Sequence, residues 1–299
     1  MKTTMNYFLA AALLLSLASC GNGKGEYDAM GTFEATEVIV SSEGNGKLMR
    51  FDVIEGQPLK YGQEVGYIDT VQLYLTKVRL QESNRAVLSN LPNVTKQIAA
   101  LREEIEKQRT EKARYQALVA SNAANQKQVD DIDSRLKVLE RQLDAQLSTL
   151  QNNTRSISGE SAAILAQIEQ LDDQLNKCRI VSPLSGTVLT KYAEQGELAT
   201  QGRALFKIAD MENVFLRAYI TSDQLSAVKL GQQLTLFADY GDDNLKEYKG
   251  TVTWISDKAE FTPKSILTKN ERANLVYAVK IAVKNDGYLK IGMYGQVKL

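Results

Sequence analysis

The chain has 299 residues, 36 basic and 36 acidic side chains, and no histidine. The even charge argues against a nucleic-acid surface or a broad polybasic membrane patch. The missing imidazole excludes His-based triads, His acid–base pairs and His metal sites.

Lys2 and the apolar stretch Phe8 to Leu17 form a charged start and a core too short to span a bilayer, the layout of a secretory signal over residues 1–19. The stretch ends in Leu17-Ala18-Ser19-Cys20, which resembles the lipobox of bacterial lipoproteins. That resemblance implies cleavage before Cys20 and a diacylglycerol on its thiol. Two or three acyl chains, at about 0.8 kcal/mol per buried CH₂, hold a protein stably on a membrane. With Cys20 acylated, Cys178 has no disulfide partner and reads as a small buried residue. No later apolar run is long enough for a membrane-spanning helix.

Residues 20–36 form a tether and a first strand. Next, Gly46, Leu48, Gly56, Gly62, Val65 and Ile68 recur as Gly186, Val188, Gly196, Gly202, Leu205 and Ile208. Each pair is 140 positions apart. Glycines suit turns with positive φ, and the alternating apolar residues between them read as short strands. Two equal half-motifs, 37–70 and 178–210, therefore close into one small β-sandwich.

Between the halves, residues 71–177 contain few helix breakers. Val129, Leu136, Leu143, Leu150, Ile157, Ile164 and Leu171 are spaced at strict heptads. On the outgoing arm Leu73, Leu80, Val87, Val94 and Leu101 keep the same step, interrupted at Gln108 and resumed at Tyr115. Ile98, Ile105, Ile132 and Leu139 fill the second core position. This pattern predicts an antiparallel coiled coil with its tip at about 119–127, where Ala-Ser-Asn-Ala-Ala-Asn falls. Leu91-Pro92-Asn93 and Ser158-Gly159 predict a bend or an unwound joint at one level of both arms.

From Asn213 the pattern returns to strands, and 211–299 reads as a small β-barrel. Ser222-Asp223-Gln224-Leu225 reads as a capped short helix, and Trp254 is expected in the barrel core. The fold class is mixed α and β: a split sandwich, an inserted α-hairpin and a barrel.

The stretches Ser42 to Thr70 and Ile180 to Asp210 resemble the biotinyl/lipoyl-like domain in the split form found in the membrane fusion protein (periplasmic adaptor, HlyD-like) family. Leu289-Lys290-Ile291-Gly292-Met293 resembles that family's closing barrel motif, Leu-Lys-x-Gly-Met. At the tip, Arg114, Leu118, Asn125, Val129 and Asp130 resemble Arg-x3-Leu-x6-Ser-x3-Leu-Asp, with Asn for Ser and Val for Leu. The resemblance implies an adaptor docking by that tip on a TolC-like outer-membrane channel. At the other end it implies an inner-membrane transporter, ABC-type or proton-driven; Glu271-Arg272 before Leu275-Val276-Tyr277 favours the ABC-type. It also implies a homo-oligomeric ring, a hexamer by family expectation, in the periplasm and lipid-anchored to the inner membrane through Cys20. Adaptors of the drug-efflux type continue into a further membrane-proximal domain, which the resemblance leads one to expect minimal or missing here. No cofactor, metal or nucleic acid is implied, and no enzymatic activity.

Two other readings stand beside it. A structural coiled-coil lipoprotein needs neither pump nor channel. A lipoyl or biotinyl carrier needs an acceptor lysine at the hairpin joining the halves, where the insertion sits. Asp257-Lys258-Ala259 resembles an acceptor tripeptide but lies about fifty residues beyond the second half.

Overall fold

A computed structural model describes residues 27–241, 244–261 and 275–299. The first body is built from the two half-motifs. Before the helices come β1 (Ala29–Ser41), β2 (Gly46–Phe51), β3 (Pro58–Leu59) and β4 (Glu64–Ile68). After them come β5 (Arg179–Val181), β6 (Gly186–Lys191), β7 (Leu198–Ala199) and β8 (Ala204–Thr221).

The sequence repeat is a repeat of bonds. β3 pairs with β6 as β7 pairs with β2. Gly56 N–H donates to Val188 O at 2.8 Å, and Gly196 N–H donates to Leu48 O at 2.8 Å. Gly62 and Gly202 sit at φ of 73° and 84°, in turns that a residue with a Cβ would strain. Each half pairs within itself, β2 with β4 and β6 with β8, and also across to the other half, so neither completes the body alone. The repeated apolar positions Leu48, Val65, Ile68, Val188, Leu205 and Ile208 meet in one core. Each contributes roughly 1.5–3 kcal/mol by leaving water.

The insertion is three helices: α1 (Val71–Ser89), α2 (Val94–Ala120) and α3 (Gln126–Lys177). The outgoing arm breaks at residues 90–93, where Pro92 has no N–H to give and Asn93 caps α2 by accepting from Lys96 N–H at 3.1 Å. The returning arm does not break. α3 runs 52 residues through Ser158-Gly159, so the expected joint exists on one side only. A single glycine costs about 1 kcal/mol in a helix, too little to interrupt one packed along its length. Along the seam Ile98 and Ile105 of α2 and Val129, Leu136, Leu150 and Ile168 of α3 are buried. Opposite the break the seam turns polar, and buried Ser161 donates to Asn84 Oδ1 at 2.7 Å. Lys77–Asp172, Arg109–Glu140 and Lys112–Asp133 pair across the arms.

β8 and β1 continue past the sandwich and are joined by β9 (Gln233–Asp239), β10 (Leu245–Phe261), β11 (Leu275–Lys284) and β12 (Tyr294–Lys298). Their pairing runs β1-β12-β9-β10-β11-β8 and returns to β1, all antiparallel, which makes a closed sheet of six strands. Phe33, Leu216, Ile220, Leu236, Ile281 and Leu289 fill its interior. The link from β8 to β9 crosses the end remote from the sandwich, and buried Val228 closes that end.

Two local expectations are corrected. The short helix is a 3-10 turn, Gln224–Ala227, and Asp223 gives it no side-chain cap; instead the Gln224 side chain accepts from Thr221 N–H at 2.9 Å. Trp254 is not in the core. It is 39% exposed and lies against Lys280, whose Nζ is 5.6 Å from its ring centre. A bulge between Val252 and Trp254 reverses the inward–outward alternation, so Val252 is buried and Trp254 faces out.

Candidate functional site

The tip of the hairpin gathers the five residues singled out in the sequence. Arg114 and Leu118 lie on the last turns of α2, Asn125 immediately precedes α3, and Val129 and Asp130 lie on its first turns. The turn between them is five residues, 121–125, with Asn122 at φ 58°. Asparagine tolerates that left-handed conformation better than most residues with a Cβ. Ala123 N–H and Ser121 Oγ both donate to Leu118 O, at 2.8 and 2.9 Å, which satisfies that carbonyl in the last turn of α2.

The five residues divide by chemistry. Val129 is buried, 6% exposed, and closes the end of the coiled coil. Leu118 is 37% exposed and offers its side chain to solvent. Asn125 accepts from Lys127 N–H at 3.0 Å and its own N–H is answered by Gln128 Oε1, a capping box. Its side chain therefore starts α3, a use the tip motif alone did not reveal. Arg114 and Asp130 do not pair with each other. Arg114 bonds Glu111 at 2.5 Å and lies over Tyr115, 5.3 Å from the ring centre, while Asp130 accepts from Gln126 at 3.0 Å. Both remain exposed.

Just inside the tip, Asp133 takes bonds from Lys112 on the opposite arm and Lys137 on its own helix. Those two ammonium groups, Lys112 first, hold its carboxyl at about 2. The Glu140 and Glu106 carboxylates on Arg109 likewise raise that guanidinium. The sequence does not single out Glu111, Lys112 and Asp133, because helix-surface charges carry no mark distinguishing a partner from solvent.

At the root of the hairpin a polar groove of about 640 Å³ is lined by Gly44, Asp69, Gln72, Lys177, Cys178 and Gln201, among others. Cys178 is buried at 1% exposure, and that burial pushes its thiol up, away from the reactive thiolate. Lys258 stands in the wall of the closed sheet beside the bulge in β10, where Ser256 Oγ bonds its backbone. It is not on a turn of the sandwich. Among the described residues no His, Cys, Asp and Glu cluster fits a metal ion, and no helix is long and apolar enough to cross a membrane. Cys20, Glu271 and Arg272 lie outside the described residues.

A two-part sandwich interrupted by a long hairpin, standing on a second β body that shares two of its strands, defines a scaffold that spans distance. The family model described as "RND MFP, barrel-sandwich hybrid domain" matches residues 36–211. The chain belongs to the membrane fusion protein family. Among its relatives are a UPF0194 membrane protein of Yersinia enterocolitica, 26% identical over 95% of both chains, and one of Yersinia pseudotuberculosis, 28% identical over 83% of this chain and 81% of that one. Two solved structures share the fold. MacA of Actinobacillus actinomycetemcomitans is 18% identical at a TM-score of 0.54, covering 90% of this chain and 76% of MacA. The membrane fusion protein Spr0693 of Streptococcus pneumoniae is 19% identical at 0.53, covering 90% and 96%.

Proposed function

We propose that this chain is the periplasmic adaptor of a tripartite efflux or secretion system. The two β bodies serve as its lipoyl-like sandwich and its β-barrel. The barrel seats on an inner-membrane transporter, ABC-type in preference to proton-driven on the strength of Glu271-Arg272. The hairpin tip, through Arg114, Leu118, Asn125, Val129 and Asp130, docks on a TolC-like outer-membrane channel. Lipid on Cys20 holds the base in the inner membrane of a Gram-negative bacterium, and copies pack as a ring, six by family expectation, around a conduit. Nothing in this reading requires covalent chemistry.

One observation carries it: the fold that residues 36–211 share with the family is interrupted by an arm whose single unbroken helix is 52 residues, or about 78 Å at 1.5 Å per residue. An arm of that length with an exposed polar and leucine tip is built to reach a partner. A photo-crosslinking residue in place of Leu118 should yield an adduct with an outer-membrane channel in intact cells. A full set of tip positions giving no channel adduct would overturn the adaptor reading in favour of a structural coiled-coil lipoprotein. Copurification with an ATPase and its permease, or instead with a large proton-driven pump, decides the transporter class.

A further inference from the structure

The closed sheet has two ends. One continues into the sandwich through β1 and β8. The antiparallel order collects at the other end the start of β1, the end of β12, the link 222–232, the end of β10 and the start of β11. That remote end is plugged by Val228, so the sheet has no need of further apolar groups there. Among the described residues it nevertheless exposes three. Phe261 is 80% exposed, Leu230 is 67% and Leu275 is 55%, although Phe261 and Leu275 are register partners at the foot of the β10–β11 ladder.

The chain leading back toward Cys20 leaves from this same end. Tyr27 is seven residues from Cys20, so the path between them spans at most about 25 Å. We infer that the remote end of the closed sheet is a membrane-contacting surface, and that Leu230, Phe261 and Leu275 enter the headgroup–acyl boundary of the bilayer. The occupant follows from tether length: a lipid on Cys20 keeps this end within about 25 Å of the bilayer, nearer than the end that continues into the sandwich. Lys229 and Lys298 stand at that end with Asp28 and Asp223. The mixed charge makes apolar insertion, not attraction to anionic lipid, the driving force. Two or three acyl chains on Cys20 already anchor the chain, so these side chains fix how this end lies on the bilayer rather than supply the anchor.

The placement rests on the proposed acylation of Cys20, but its test does not. The mature chain carrying Cys20→Ser, and so no acyl group, is mixed with phosphatidylethanolamine–phosphatidylglycerol vesicles and sedimented. It should partition onto them, and Leu230→Ser with Phe261→Ser and Leu275→Ser should lower partitioning by on the order of a hundredfold. These side chains are largely exposed, so an unchanged melting temperature is expected and checks that the variant folds. In a Trp254→Phe background, the emission of the Phe261→Trp variant should shift to the blue on vesicles. No partitioning, partitioning indifferent to the three substitutions, or an unshifted emission overturns the inference. So does a crosslink from position 261 that traps a transporter and no lipid, which would make the surface a protein contact. Release of the full-length protein from the membrane by Cys20→Ser tests acylation separately.

Discussion

Asn125 occupies a position that the tip motif assigns to a partner, yet its side chain is committed to the first turn of α3. Asn125→Ala should therefore cost about 1 kcal/mol of hairpin stability, measured as a lower melting temperature of the helical signal. Asn125→Ser should retain most of it, since serine caps nearly as well. A channel-docking defect in the alanine variant but not the serine variant would trace to the turn rather than to a direct contact. Asp133 carries the pH response of the same region. Its folded-state carboxyl titrates at about 2, below the ordinary 3.8, because Lys112 and Lys137 bond the ionised form. A depressed pKa gives stability that is present above the ordinary value and lost as pH falls through the folded one. The hairpin should thus lose melting temperature between pH 4 and about 2, and Asp133→Asn should flatten that slope. Because the pair is only partly buried, salt should still weaken the effect.

At the scale of elements, α1 and α3 show why a breaker in one arm is not matched in the other. Pro92 removes a donor, and the backbone must leave the helix; Gly159 removes only a methyl group. A Cβ at Gly159 would meet no atom within 4 Å. Gly159→Ala should accordingly raise hairpin stability by about 1 kcal/mol, read by thermal melting, whereas an alanine in contact with a neighbour would lower it. The sequence made the repeat legible because its glycines mark backbone conformations, and backbone hydrogen bonds at Gly56 and Gly196 follow from them. The heptads were legible because burial on one face recurs. Trp254 was misread because a bulge one residue long reverses the alternation and leaves no mark in composition. Of the five tip residues, Val129 keeps the heptad step and is buried, whereas Leu118 falls one residue short of the second core position, 119, and is exposed; the tip motif by itself treats the two alike.

For the whole molecule, the hairpin is an insertion between neighbouring strands. β4 and β5 pair directly, with Ile68 N–H donating to Cys178 O at 2.9 Å. A short Gly-rich turn replacing residues 71–177 should therefore leave the sandwich and the closed sheet folded. The expected result is a strand-dominated far-UV spectrum and a cooperative melt, with channel crosslinking abolished. Loss of cooperative melting would instead mean that the arm holds the two halves together.

The closed sheet also dictates an order of assembly. Its first strand, β1, needs β12, and Ala29 pairs with Val297 at the opposite end of the chain. During synthesis β1 emerges with its partners still to come, while α1, α2 and α3 can nucleate from neighbours close in sequence. The hairpin can thus form early, and the sandwich must wait for residues beyond it. The ring of strands cannot seal until β12 arrives, which makes β12 the clasp of the molecule and leaves a chain terminated before it with open, unpaired edges for proteolysis to find.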